Sequence, residues 1–518
     1  MASTPKDGER CAAYGFKFTW TPDHLTPEQM RPYMFSYDVL ATEALDVLDH
    51  ADPDPVKGNI SAAKQDRQAQ TQGQDQQTSQ SGNPDNNKPK SSHHKRDLFT
   101  LLQTHHHENE TLSSLWSQIH TIPEWVDWAQ IARGQLVFYR YALPFVISLT
   151  FQSLLGGMGS SRVSHTLSKT GGFSGKITRK RLLDTFQHVL DVTRDLDSIK
   201  PGPHNGKGFV SSVKVRLLHA SVRRRILLLA KEDASYYNVE SNGIPINDLD
   251  SMATIIAFSA TVVFLGFPRQ GIFLRRQEIQ DYLALWRWVG YLMGTPVDEQ
   301  HFSSPEKAKA LMESLGLYEI DPSPTSAALA NNIITGLQNQ PPTFASRDFL
   351  QAQAHWLNGR ELATALKIPK PGLYYFVLVG LQCALFMGFA YVRRAVPCLD
   401  ERNICRMRRL LRKEAVMNQC RGVEASHGFK YLPRLGKDTV QVQDGPPSEE
   451  EEVRDLFGAA GGRKKKRRGF GEMDWSFGND HDHGGGAAER FWLVVVLGVS
   501  AALGGVGLWL GRGLVVGV

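Results

Sequence analysis

The clearest chemical pattern in this chain is Val215-Arg216-Leu217-Leu218-His219-Ala220-Ser221-Val222-Arg223. Val215, Leu218, Val222, Ile226 and Leu229 recur at spacings of three and four, which places them on one buried stripe of a helix. His219 falls within that stripe, with Arg216 one turn before it and Arg223 one turn after. A histidine facing a core is either neutral and hydrogen-bonded or binds something. Flanking arginines point to a bound group with negative charge. Haem meets both needs, imidazole for its iron and guanidinium for its propionates. The plainer reading is a hydrogen-bonded core histidine beside ion-paired arginines.

A second candidate face lies upstream. Residues 180–196 read as a helix with Leu182, Leu183, Phe186, Val189 and Leu190 inward, and Arg181, Thr185 and His188 share an adjoining face. Thr185 could equally return its hydroxyl to a carbonyl one turn back. His188 reads as a partly exposed position rather than a distal group. Downstream, a turn at Gly243-Ile244-Pro245-Ile246-Asn247 leads into a very apolar helix from Leu249 to Gly266. On it, Phe258, Val262, Phe264 and Leu265 are either plain core or the lining of a channel. An aromatic helix from Glu278 to Met293 carries Tyr282, Trp286 and Trp288.

These elements belong to a long, unevenly composed chain. Its 518 residues exceed one compact core unless long stretches lie outside it. Residues 52–96 are such a stretch, rich in Gln, Asn, Ser and Lys and too polar to offset the entropy of ordering. His93-His94 and His105-His106-His107 lack regular ligand spacing to a carboxylate or cysteine. Residues 436–488 hold an acidic run, the basic run Arg463 to Arg468 and Gly484-Gly485-Gly486, and read as a linker. The 22% charged content and net charge of +6 carry no global nucleic-acid signature, and the basic run lacks interleaved aromatics. Five cysteines with no CxxC pair argue against a disulfide framework or zinc site and fit a reducing compartment.

Phe491 to Leu510 is twenty residues without a charge, long enough to cross a hydrocarbon core of about 30 Å. No apolar run occupies the first thirty residues, so the expectation is a tail anchor rather than a secreted chain. The basic cluster before it places the catalytic part on the cytosolic side. Leu373 to Val392 is a second uncharged stretch, for which a central core helix is preferred to a span. The Leu249–Gly266 run is short for a span and reads as core.

The order of Trp125-Val126-Asp127, Arg133-Gly134-Gln135, Lys169-Thr170-Gly171-Gly172, Arg181-Leu182-Leu183-Asp184-Thr185, the His219 helix and Gly243-Ile244-Pro245-Ile246-Asn247 resembles one family. It is that of the haem-dependent oxygenases that include latex clearing protein (rubber oxygenase) and the endoplasmic-reticulum-bound oxygenase of the mycophenolic acid pathway. The resemblance covers about residues 120–430. It implies an all-α, globin-like multi-helix core holding haem b, and cleavage of an isoprenoid carbon–carbon double bond with O2 to give carbonyl products.

By the same resemblance His219 is the iron ligand and Thr254 a further pocket residue, and the helix spacing adds Arg216 and Arg223 as cofactor-binding neighbours. Arg181 and Thr185 line the reacting side. Two positions depart from the family pattern. Asp184 stands where rubber oxygenases have a lysine, so it takes another part or leaves the distal side open. No Asp or Glu occurs between Phe151 and Leu183, where those enzymes have a glutamate base; His165 lies there instead. A smaller membrane-soluble isoprenoid or lipid is therefore the expected substrate.

The expected organisation is an N-terminal helical segment (1–51), a disordered insert (52–96), a haem oxygenase catalytic domain (97–433), a disordered charged linker (434–488) and a C-terminal transmembrane helix (489–518) at the endoplasmic reticulum. Expected partners are O2, an apolar substrate and the membrane, with no nucleic acid. The competing reading is a non-catalytic, membrane-tethered helical or haem-binding scaffold.

Overall fold

The computed structural model describes residues 5–51, 97–171, 173, 177–340 and 343–412. The segments expected to be a polar insert, a charged linker and a C-terminal anchor lie outside these residues. The described chain is mostly helical. Its helices include α1 (Val39–Ala51), α2 (Trp128–Arg140), α3 (Ser161–Thr170), α4 (Thr178–Thr193), α5 (Lys207–Glu232), α6 (Asp248–Phe258), α7 (Arg276–Leu292), α8 (Pro305–Tyr318), α9 (Arg347–Ala365), α10 (Leu373–Ala395) and α11 (Pro397–Arg412), of which α3 to α9 line the site.

The helical reading of residues 1–51 is corrected at its start. Strands β1 (Arg10–Ala13) and β2 (Phe16–Thr19) form an antiparallel hairpin with Ala13 opposite Phe16. Tyr14 and Gly15 both take positive φ, 44° and 79°, the backbone of a two-residue turn that matches strand twist. Phe18 and Trp20 then stack on His24, at 5.3 and 4.7 Å between ring centroids. The expected Thr26-Pro27-Glu28 helix start is present as a single turn, Pro27–Met30. The Thr26 amide donates to Gln29 Oε1 at 2.8 Å, and the Gln29 amide donates to Thr26 Oγ1 at 3.4 Å, a reciprocal cap.

Two of the sequence motifs do architectural work. Arg133 of α2 grips Asp281 of α7 with two hydrogen bonds, 2.9 and 3.0 Å. A Cβ on Gly134 would collide with the Asp281 carbonyl oxygen, so glycine sets the closeness of α2 and α7. Gln135 donates to the carbonyls of Val192 and Asp195, at 2.9 and 2.8 Å, and ties α2 to the end of α4. In the Gly243–Asn247 turn, Gly243 has φ of +72° and packs on the Met34 carbonyl, and the Ile244 amide donates to that same carbonyl at 2.9 Å. Asn247 Oδ1 accepts the Asp250 amide at 2.8 Å and so caps α6.

Among the described residues packing falls mainly into two large hydrophobic clusters, beside two small ones around Leu45 and Ile226. The larger gathers Trp286 and Trp288 of α7 with Phe138, Phe145, Tyr282 and Phe267. The smaller gathers Leu329, Ile333, Ala352 and Leu357. The apolar run after Leu249 is not one regular helix. Ser259 breaks it, with φ −116° and ψ −86°, and it resumes as π-helix over Val262–Gly266. A second π-helical stretch covers Ser148–Leu155. Gln270 joins the two, donating to Ser148 Oγ at 2.8 Å and to the Gly266 carbonyl at 3.1 Å.

The Leu373–Val392 stretch is not the central core helix expected. It forms α10, which packs through a narrow stripe that includes Val379, Gln382, Cys383 and Ala390. Leu373, Val377 and Leu381 are 78%, 52% and 45% exposed. A run without charges identifies an apolar helix but not how many of its faces have partners.

Candidate active site

A cavity of about 390 Å³ lies where the two large hydrophobic clusters meet. Ile255, Trp286 and Leu315 reach it from the larger cluster, and Met158, Phe173 and Leu362 from the smaller. That volume falls in the range of small-molecule and cofactor sites, about 300–1,000 Å³.

Helix α5 delivers His219 to this cavity together with Val215, Leu218 and Val222. Among the described residues neither His219 ring nitrogen has a hydrogen-bond partner. Burial, with the Arg223 and Arg181 charges, pushes its pKa down to about 3. The imidazole is therefore neutral at neutral pH, with a lone pair free on one nitrogen. This is the property a metal ligand needs, and it is not that of a satisfied core histidine.

Helix α4 supplies Arg181, Thr185 and His188 to the same cavity, so the face read from i, i+4, i+7 spacing lines the cavity that His219 lines. Arg181 lies over the Phe173 ring, 5.4 Å from its centroid. Thr185 makes no bond to a carbonyl one turn back, whereas Thr193 on the same helix does, to Val189 at 2.7 Å. His188 is not partly exposed, as expected, but buried at 8% exposure. Its Nδ1 meets Ser211 Oγ at 2.8 Å and its Nε2 is buried without a partner among the described residues. Burial pushes its pKa down to about 4, so this imidazole is also neutral. Thr254 lines the cavity, but its hydroxyl donates to the Asp250 carbonyl at 2.8 Å. Phe258 and Leu265 line it; Val262 and Phe264 do not.

Three expected site residues are absent from the cavity wall. Asp184, one position before Thr185, is turned about 100° around α4 and does not line it. Arg216 is buried against the N-terminal segment. Its Nε donates to Asp38 Oδ2 at 2.6 Å, and its Nη2 to Asp38 Oδ1 at 2.8 Å and Gln118 Oε1 at 2.7 Å. Arg223 donates through Nη2 to the Ile246 carbonyl at 2.8 Å and through Nη1 to Thr42 Oγ1 at 2.9 Å, and lies over the Tyr37 ring. At −3 and +4 from His219, both arginines sit some 40–60° around the helix from it, on the side that meets α1 and the Gly243 turn. They lock α5 in place and bias the His219 imidazole toward neutrality through the Arg223 charge. Arg181 is left as the arginine of the expected set that faces the cavity.

The residues the sequence reading did not reach are Arg162 of α3, Asp250 of α6 and Glu319, just past α8. All three line the cavity. Arg162 Nη2 is 2.6 Å from Glu319 Oε2 and 3.0 Å from Asp250 Oδ1. Burial holds the Asp250 carboxyl up at about 6, against the pull of Arg162. Asp250 is one turn before Thr254, so an acid inside an apolar helix was the available signal. His165, the group expected near the missing glutamate, instead stacks on Tyr237 at 5.3 Å and does not line the cavity.

Residues 139–387 match the family described as ER-bound oxygenase mpaB/B'/Rubber oxygenase, catalytic domain. Over these residues the chain is similar to mpaB/rubber oxygenase catalytic domains. The matched segment opens inside α2, closes inside α10 and contains every cavity-lining residue named above except Tyr14 and Phe16, which reach in from the N-terminal hairpin. The matched span is narrower than the 120–430 read from the motifs. A solved structure, latex clearing protein LCP in the closed state, aligns over 58% of this chain and 79% of its own, with 18% identity and a TM-score of 0.45. No curated protein matches the chain.

A group carried by mpaB/rubber oxygenase domains has to suit these walls. Among the described residues no three His, Cys, Asp or Glu side chains converge on a common point. A haem would need one nitrogen ligand from the protein for its iron, which His219, with no hydrogen-bond partner among the described residues, would offer. Its carboxylates need a cation at the cavity edge, which Arg181 offers. The residues present fit haem.

Proposed function

We propose that this chain is a haem b-dependent oxygenase that cleaves a carbon–carbon double bond of an isoprenoid or similar lipid with O2 at a membrane surface. One observation carries the reading: a neutral histidine without a hydrogen-bond partner among the described residues faces an apolar cavity, inside a segment that matches an oxygenase family. Haem, when bound, supplies the activation of O2; the chain supplies orientation and exclusion of water. His219 would hold the iron through a ring nitrogen and Arg181 would supply the positive charge for a carboxylate. The Thr185 hydroxyl and the His188 Nε2 are the polar groups on the α4 side able to hydrogen-bond an oxygen atom. Phe258, Leu265 and Trp286 hold the hydrocarbon chain. In the net reaction the double bond is broken and two carbonyls form, one oxygen atom of O2 in each, so no outside reductant enters the balance.

Membrane contact is supported by the exposed apolar face of α10, which ends in Arg393 and Arg394, and by the uncharged run Phe491–Leu510. Attachment to the endoplasmic-reticulum membrane with a cytosolic catalytic domain fits both.

The test is incubation of purified full-length protein with isoprenoid alkenes under 18O2. Labelled carbonyl products that disappear in Thr185→Ala, while cofactor content stays unchanged, are the expected result. Unlabelled or absent products from a haem-loaded protein across chain lengths contradict the reading.

A further inference from the structure

The cavity is apolar on most sides but not on all. Where α3 and α6 meet the π-helical segment, four side chains that line it each bury a polar atom with no hydrogen-bond partner among the described residues. The atoms are Arg162 Nη1, Asp250 Oδ1, Ser160 Oγ and Gln152 Oε1. Asp250, Ser160 and Gln152 are all at least nine-tenths buried. The Asp250 oxygen is within ion-pair distance of Arg162, at 3.0 Å, without the alignment of a hydrogen bond. Ser160 precedes the first residue of α3, yet its hydroxyl caps no amide there. Buried polar atoms are normally satisfied, and leaving one unmade costs about 1–3 kcal/mol. Several orphans on one wall of one cavity mark a place that something polar completes.

This wall is built on helices other than those that carry His219 and Thr185. It therefore adds polar groups to a site whose other helices, α4 and α5, carry Arg181, Thr185 and His219. Its charge decides the chemistry. Two carboxylates, Asp250 and Glu319, already face one guanidinium, so an anionic ligand group meets net repulsion. A neutral oxygen does not: it accepts from Arg162 Nη1 and, if it is a hydroxyl, donates to Asp250 or Gln152.

We infer that the Arg162–Asp250–Ser160–Gln152 wall binds a neutral oxygen at one end of the substrate, so that the chain takes a prenyl alcohol or comparable oxygenated isoprenoid in preference to a pure hydrocarbon or a prenyl acid. The inference rests on the oxygenase reading for the isoprenoid part and on the orphan atoms for the polar end. Ordered water completing the same atoms is the competing occupant.

The experiment is equilibrium binding of farnesol, farnesene and farnesoic acid to the purified full-length protein without O2. Farnesol is expected to bind about tenfold tighter than farnesene, with the acid no tighter than farnesene. Arg162→Met should remove the alcohol preference and leave farnesene binding in place. Because Arg162 also bridges α3, α6 and Glu319, Ser160→Ala is the second variant; it deletes one hydroxyl that caps nothing and should weaken farnesol alone. Equal affinity for farnesol and farnesene in the parent overturns the inference and assigns the wall to water, as does a farnesol preference that survives both variants. Admitting O2 afterwards separates the two readings. A farnesol preference without carbonyl products leaves the wall standing and removes the oxygenase; products with no farnesol preference do the reverse.

Discussion

Asp38→Asn is the substitution that most sharply separates a structural arginine from a cofactor-binding one. Arg216 has a 2% exposed side chain and two short bonds to an Asp38 carboxylate whose side chain is 11% exposed. Asparagine preserves the size of the side chain and an acceptor for the Ala41 amide, which Asp38 Oδ1 holds at 3.2 Å. What it removes is the negative charge. Breaking a buried pair on one side costs about 3–5 kcal/mol, because the remaining charge is stranded. Gln118 Oε1 still accepts from Arg216 at 2.7 Å, so the lower end, about 3 kcal/mol, is expected. That is a large share of a total stability of about 5–15 kcal/mol. The assay is urea unfolding of the parent, Asp38→Asn, Arg216→Met and the double variant. The double variant should recover much of the loss seen in Asp38→Asn, since no charge is then stranded. A loss below about 1 kcal/mol, or unchanged stability with lost cofactor absorbance, would refute the placement of Arg216 outside the cofactor site.

Three further outcomes follow from packing and charge. Gly134→Ala pushes a methyl group into the Asp281 carbonyl and the Leu285 side chain; destabilisation of about 1–3 kcal/mol in thermal unfolding is expected, and a neutral effect would mean α2 and α7 are not so close. The cofactor-free protein should lose stability as pH falls from about 6.5 toward 4, because unfolded chains take up protons at His188 and His219 while the native chain, with pKa values of about 4 and about 3 there, does not. His188→Leu should flatten that slope. Asp250 acts with the opposite sign: its native carboxyl, near 6, holds a proton that the unfolded chain releases, so Asp250→Asn should raise stability at pH 7 relative to pH 5. Slopes measured between pH 4 and 7 for the three proteins decide both.

How much was legible in the sequence differed by the range of the interaction. The periodicity around His219 and the Arg181–Thr185–His188 face depend on neighbours within two turns, and both faces reach the cavity. Arg216 and Arg223 were misplaced because their partners, Asp38, Thr42 and Ile246, are distant in sequence and invisible to local spacing. The Arg162–Asp250–Glu319 group was missed for the same reason, as three helices converge to make it. The hairpin at residues 10–19 did carry a local signal: Phe16, Phe18 and Trp20 alternate after Tyr14-Gly15. Helix α10 shows the converse limit, since apolar composition reported its hydrophobicity and not its one-sided packing.

The central claim is that His219 holds a haem iron, and the visible absorption spectrum of full-length protein purified from haem-supplemented cells, beside His219→Ala, tests it most directly. A Soret band in the parent that is lost from a variant with unchanged helical circular dichroism is the predicted result. Full haem absorbance in folded His219→Ala, or none in a folded parent, would contradict it.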